Sequence, residues 1–273
     1  MPPLTTISIL QFSFLFLPPQ MALPLQVFFL FMVPLLQLQP QATDATSFTK
    51  SRAAYYPNSE QNGTSDGACG YRSYGATLNG GDVSAASDLY RNGLGCGACY
   101  QVRCTNSHLC SDEGVTIAIT DMGSSGGTDF ILSQHAFARM GQTTDDGKSL
   151  LDLGVVDIEY SRVSCSYPNN NITIKIDEGS IYPNYLAFVI EYQQGTKDIT
   201  AVQLCETVSL TCKLLDRSHG TVWAVVSPPS GPLSVKILLS GDDEGDDSWV
   251  EPINGIPVDW TPGTSYDSGI QLN

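Results

Sequence analysis

Apolar residues recur every second position in short runs, and turn-forming residues break the runs apart. That period is the signature of half-buried strands. In the first half it predicts strands over 99–104, 115–120 and 155–160. In the second half strand follows strand, over 172–176, 186–192, 199–204 and 233–239, with turn chemistry at Gln194-Gly195, Pro228-Pro229 and 241–245. Two short helices are predicted, over 83–90 and over 133–140, the latter with Ser133 as N-cap and Ala136, Phe137 and Met140 along one face. The chain therefore reads as all-β. Its Gly-rich first half, 46–165 with a core at 66–165, suggests a closed barrel, and its regularly alternating second half a β-sandwich. The strand-breaking run SYPNNN over 166–171 lies between them, so 166–182 is expected to hold the linker and a first strand, and 183–269 the second domain.

Charge narrows the partners. Charged residues make up 15% of the 273 positions and the net charge is -15. So acidic a surface repels phosphate backbones and anionic headgroups, which excludes nucleic acid and acidic membranes as favoured partners. It also opposes carboxylate-bearing polysaccharides, whereas a neutral sugar polymer raises no such objection. Residues 1–45 are apolar, lack Lys and Arg, and end in small residues suited to cleavage near Ala42 or Ala45. They read as a signal peptide, with Met21 an alternative start. A membrane anchor is the rival reading, opposed by Pro18, Pro19, Pro24, Pro34 and Pro40, which cut the apolar stretch into short pieces. Eight cysteines follow this segment, an even count that predicts disulfides in a secreted chain. Zinc at the Cys96/Cys99 pair is the alternative, but a second matched pair is missing and His108, His135 and His219 are scattered.

The most informative stretches are GACGY (67–71), LYRNGLGCGACYQVRC (89–104), ITDMG (119–123), DFILSQHAFARM (129–140) and PNYLAFVIEY (183–192). In this order and spacing they resemble the plant expansins, most closely the expansin-like B subgroup, from about Ala53 to the C-terminus. The resemblance implies a six-stranded double-psi β-barrel, related to family-45 endoglucanases, followed by an immunoglobulin-like sandwich that acts as a carbohydrate-binding domain. It implies the pairs Cys69–Cys96, Cys99–Cys165 and Cys104–Cys110, which leaves Cys205 with Cys212. No cofactor or metal is expected.

Inverting glycoside hydrolysis needs an acid and a base on opposite sides of the scissile bond. The family supplies groove residues from a Thr-Asp motif and a later His-Phe-Asp segment. Asp121 stands at the first, but Ile131 occupies the acid's place in the second and Ala54 replaces a groove threonine. No catalytic residue is therefore expected. Asp129, two residues from Ile131 and on the same side of an extended strand, is a candidate groove residue beside a structural role. Neutral sugars are held by aromatic faces, which makes Tyr55, Tyr56 and Tyr74 groove candidates and Tyr185 and Trp223 platform candidates in the sandwich. The further Trp often found in the family is His219 here, and Trp260 reads as core. Asn62 and Asn171 begin glycosylation sequons. The expectation is a monomeric, extracellular expansin-like protein that grips cellulose, xyloglucan or a related polymer and changes wall mechanics without hydrolysis. A weak endoglucanase and a pure binding or defence module are the alternatives.

Overall fold

The computed structural model describes residues 47–57, 63–240 and 246–272; residues 1–45, read above as a signal peptide, and Asn62 lie outside the described residues. Six strands, β1 (Thr49–Tyr55), β2 (Val83–Ala86), β3 (Cys99–Cys104), β4 (Val115–Met122), β5 (Phe130–Leu132) and β6 (Val155–Val163), close into a barrel in the order β1-β5-β2-β4-β3-β6. The pairs β1/β5 and β2/β4 are parallel and the other neighbours antiparallel. This is the double-psi β-barrel. A barrel this small is filled by its own side chains: Ala53, Val83, Val102, Ile117, Ile119, Phe130 and Leu132 are all fully buried.

Three short helices flank the barrel: α1 (Ser73–Thr77), α2 (Gln134–Arg139) and α3 (Thr144–Leu153). Ser133 caps α2 as expected, accepting from the Ala136 amide at 3.1 Å. α3 carries a reciprocal capping box between Thr143 and Asp146. The helix expected over 83–90 is not formed. Val83–Ala86 are instead strand β2, buried throughout between β5 and β4, and a 3₁₀ segment follows at Asp88–Gly93. Small residues that fit a two-sided burial site join the sheet whatever their helix propensity.

The sandwich has a four-stranded and a five-stranded antiparallel sheet. Its strands are β7 (Thr173–Ile176), β8 (Tyr185–Glu191), β9 (Ile199–Glu206), β10 (Cys212–Leu214), β11 (Asp216–His219), β12 (Val222–Val226), β13 (Leu233–Leu239), β14 (Ser248–Val250) and β15 (Ser265–Asp267). The sheets run β10-β9-β13-β14 and β11-β12-β8-β7-β15. β7 pairs with both β8 and β15, so the sheet begins before residue 183. Four bridges join Cys69–Cys96, Cys99–Cys165, Cys104–Cys110 and Cys205–Cys212, which leaves no thiolate among the described residues to ligate zinc.

β8 is buried on both faces. Leu186, Phe188 and Ile190 enter the sandwich core, while Ala187 and Val189 pack with the barrel cluster, joined there by Val222 of β12. Ion pairs cross this seam: Asp198 receives Arg91 at 2.7 Å and Arg162 at 3.2 Å, and Arg72 meets Asp177 at 3.2 Å. Arg217 donates to the carbonyls of Gly93, Gly220 and Ile199. Between them the backbones touch. The Thr221 amide donates to the Cys69 carbonyl, and a Cβ on Gly220, whose φ is 48°, would stand 2.4 Å from the Ala68 oxygen and 2.5 Å from Cys69 Cα.

Two predictions follow from the seam. Gly220→Ala is expected to lose about 2–4 kcal/mol, from left-handed backbone strain plus overpacking against backbone that cannot yield. Gly126→Ala, at a φ of 59° in open space, carries only the strain of about 1 kcal/mol. Urea unfolding of both variants checks this, and equal losses would refute the steric reading. The second concerns Glu191, 7% exposed at the seam, whose carboxyl is pushed from 4.5 up to about 7 by burial, opposed by Lys175. The folded state holds this proton where the unfolded chain has released it. Stability is therefore expected to fall as pH rises from 4.5 to about 7, by about 3 kcal/mol at the upper limit. Glu191→Gln should flatten that slope in a pH series of unfolding curves.

Candidate functional site

The groove is built on the alternation of β1. Ala53 and Tyr55 lie on one side of the strand, and Ala54 and Tyr56 on the other. Tyr56 donates its hydroxyl to Asp121 Oδ2 at 2.8 Å. Asp121, near the end of β4, accepts at Oδ1 from the amides of Ala68 at 2.7 Å and Met122 at 2.8 Å. Three donors thus fix one carboxylate. Burial, and then the neighbouring Asp121, hold the Tyr56 phenol well above its ordinary range, so it stays a donor. The rest of the floor is apolar. Ile131 lies in register with Ala54 on one side and Ala85 on the other, and its Cδ1 approaches Gly123. Met122 is 58% exposed beside them. Ala54 and Ala85 are themselves buried, so among the described residues the CH contacts come from Ile131 and Met122 and the anchored acceptor is Asp121.

Three of the expected groove residues are placed elsewhere. Tyr55, one position out of phase with Tyr56, packs its ring on Phe137 at 5.0 Å and donates to the Leu151 carbonyl at 3.1 Å. Asp129 precedes β5 and does not share the outward side of Ile131. Its carboxylate turns to the hydroxyls of Ser51 at 2.5 Å and Ser87 at 3.3 Å. Tyr74, on α1, stacks edge-on against Tyr71 and Tyr192, with its hydroxyl buried at the seam. Of the groove candidates, Tyr56 and Asp121 alone come together.

The platform also changes. Trp223 is 2% exposed, paired across the sheet with Phe188 and capped by the Arg217 guanidinium 4.3 Å from its ring centre. A ring enclosed on both faces cannot stack on a sugar, so Trp223 is core. The register explains it: Trp223 follows the inward phase set by Leu186, Phe188 and Ile190. Trp260 is core as expected. Tyr185 stays half-buried at the start of β8, opposite Val226, which is 73% exposed. Ile181 and Tyr182, 62% and 50% exposed, lie just before it. These apolar neighbours were missed from sequence, although two large apolar residues inside a Pro-containing turn are a usable signal. His219 is exposed on β11. Asn171 stands partly exposed before β7, its side-chain amide donating to Asp267.

The fold and the groove define a class: a double-psi barrel with an open groove that holds one carboxylate among the described residues, joined through a shared core to a β-sandwich. Residues 82–160 match the family model described as "Lytic transglycolase", and residues 172–254 match "Expansin C-terminal domain". The chain is 65% identical over 233 residues to Expansin-like B1 of Oryza sativa subsp. japonica, covering 85% of this chain and 91% of that protein. It is 40% identical over 247 residues to Expansin-like B1 of Arabidopsis thaliana, covering 90% and 98%. Among solved structures it is similar to an apo expansin of Clavibacter michiganensis, with TM-score 0.60 and 20% identity over 82% of this chain and 98% of that one. A mutant of that protein in complex with cellohexaose gives TM-score 0.59 and 21% identity over the same shares. The chain belongs to the expansin family.

The placement of the two sandwich aromatics yields a prediction. Trp223→Ala should cost about 3–5 kcal/mol of stability, as for other large-to-small changes in a core. Tyr185→Ala, half-exposed, should cost well under half as much. Denaturant titration of the two variants decides it; a Trp223→Ala protein as stable as its parent would contradict the core assignment.

Proposed function

We propose that this protein is secreted to the cell wall, binds neutral β-glucans such as cellulose or xyloglucan, and alters wall mechanics without hydrolysing them. The observation that carries the reading is the groove itself: among the described residues it holds one carboxylate, Asp121, oriented by Tyr56 and two amides, beside the apolar Ile131 and Met122. Cleavage of a glycosidic bond by acid and base needs a second, facing carboxyl group. Ile131 cannot transfer a proton, and Asp129 is committed to Ser51 and Ser87. Family membership supports the wall glycan as substrate surface, as does the cellohexaose complex of the bacterial expansin. The net charge of -15 supports a neutral rather than an acidic polymer. In the sandwich, Tyr185 and Val226 offer the exposed apolar contact that continues glycan binding. The protein acts as a monomer after removal of residues 1–45, with Asn62 and Asn171 as glycosylation acceptors.

The test is a pair of assays on the purified secreted protein. Pull-down on insoluble cellulose and xyloglucan-coated cellulose should show binding, and Tyr185→Ala should weaken it by about 0.5–1.5 kcal/mol. No reducing ends should appear from any soluble β-glucan. A lost general acid lowers rates about 10²–10⁴-fold, and Ile131→Asp is expected to improve soluble-glucan contact without restoring cleavage. Release of reducing ends by the native protein, abolished by Asp129→Asn, would replace this reading with the endoglucanase one.

A further inference from the structure

Glu191 lies at the end of β8, nine-tenths buried, with Lys175 as its charged neighbour. It borders a cavity of about 230 Å³ between barrel and sandwich. Tyr71, Arg72 and Tyr74 line it from the barrel side, and Lys175, Glu191 and Ser265 from the sandwich side. Lys175 Nζ spends one donor on the Gly263 carbonyl at 2.5 Å, and an ammonium has three. The Arg72–Asp177 ion pair ties the two sides together at the cavity, with Arg72 reaching solvent.

Size and chemistry select the occupant. The volume is several times the ~30 Å³ share of one water and falls below the ~300–1,000 Å³ of drug-sized sites, which is the scale of one sugar ring. Lys175 and Arg72 oppose a metal cation, while Glu191, Asp177 and Glu178 oppose an anion. A ligand of no net charge remains, and the glycan-binding reading above selects a sugar over a zwitterion. It must donate to a carboxyl oxygen and accept from an ammonium, which vicinal hydroxyls do, and it must present a CH surface to the Tyr71 and Tyr74 rings. Gly70 also lines the cavity, and a Cβ there would touch Val222 and come 3.1 Å from His219 Nε2.

We infer that this seam cavity binds a single neutral sugar residue, presented as a branch or chain end of a glycan on the adjoining surface or as a free monosaccharide. The inference rests on the glycan-binding reading above and extends it to a second subsite, open at the Arg72 and Ser265 rim. Glu191 accepts from ring hydroxyls, Lys175 donates to them, and the tyrosine walls exclude water. Because the carboxyl titrates near neutrality, it can also donate when protonated, which suits a hydroxyl partner of either sense.

The experiment is an NMR titration of the secreted protein with D-glucose, D-xylose and D-galactose, then with cellohexaose and a branched xyloglucan oligosaccharide. Saturable shifts are expected at the amides of Lys175, Val189, Glu191 and Ser265 with at least one monosaccharide. Glu191→Gln should weaken that binding about tenfold, the worth of a hydrogen bond to a charged group. Ser265→Trp, which plugs the exposed rim without touching the buried carboxyl, should abolish it. Both variants should still bind insoluble cellulose. Tighter binding of the branched oligosaccharide than of its free sugars identifies a branch as the source; equal or weaker binding identifies the free sugar. Absence of shifts at these four amides with every sugar, while cellulose is still bound, overturns the inference and leaves the proposed function standing. Undiminished sugar binding by Glu191→Gln or by Ser265→Trp overturns it as well. Sugar-dependent shifts in a protein that binds no insoluble glucan would keep the subsite and sink the wider reading.

Discussion

At Gly220 the sandwich backbone meets the barrel backbone with no room for a single carbon between them, and the rest of the molecule is arranged around that approach. Barrel and sandwich are joined as a core is joined. β8 buries both faces, one in each domain's hydrophobic cluster, and the Thr221 amide reaches the carbonyl of Cys69, itself locked to Cys96. Backbone contact of this kind has a narrow range of acceptable geometry, because neither side can change rotamer to relieve it. The groove on the barrel and the exposed apolar residues on the sandwich are consequently held in one fixed relation.

The groove follows a different logic. A carboxylate that accepts three hydrogen bonds is oriented and satisfied before any ligand arrives. It is suited to taking one further hydroxyl as donor and ill suited to shuttling protons, which demands a group free to change partners. The apolar residues beside it have the same tendency. Ile131 and Met122 reward contact with the CH face of a sugar chain and leave its charge distribution alone. The combination suits the glycan contact without bond cleavage proposed above.

Much of this was legible in the chain. Period-two alternation located β3, β4, β6, β9 and β13, and the Ser133 cap located α2, because each of those signals is local. The motif order carried the disulfide pairing and the barrel. What stayed hidden was decided by long-range register. β2 looks helical until two other strands bury it on both sides. Trp223 looks like a platform until its cross-strand partner, Phe188, sets its phase. Asp129 appears to share a side with Ile131 only if the strand is taken to begin one residue early. Tyr55 and Tyr56, adjacent in sequence, go to opposite sides of the wall, and no composition rule says which.

Asp198 adds a consequence of its own. It draws Arg91 from the 3₁₀ segment and Arg162 from β6 onto one carboxylate, and all three side chains keep some contact with solvent. Charges so placed feel dissolved ions, whose screening length is about 8 Å at physiological ionic strength and shortens to about 3 Å at 1 M. The glycine contact is indifferent to salt, but the clamp beside it is not. The rigidity with which the two halves present a common surface is therefore a property of the surrounding electrolyte as well as of the chain.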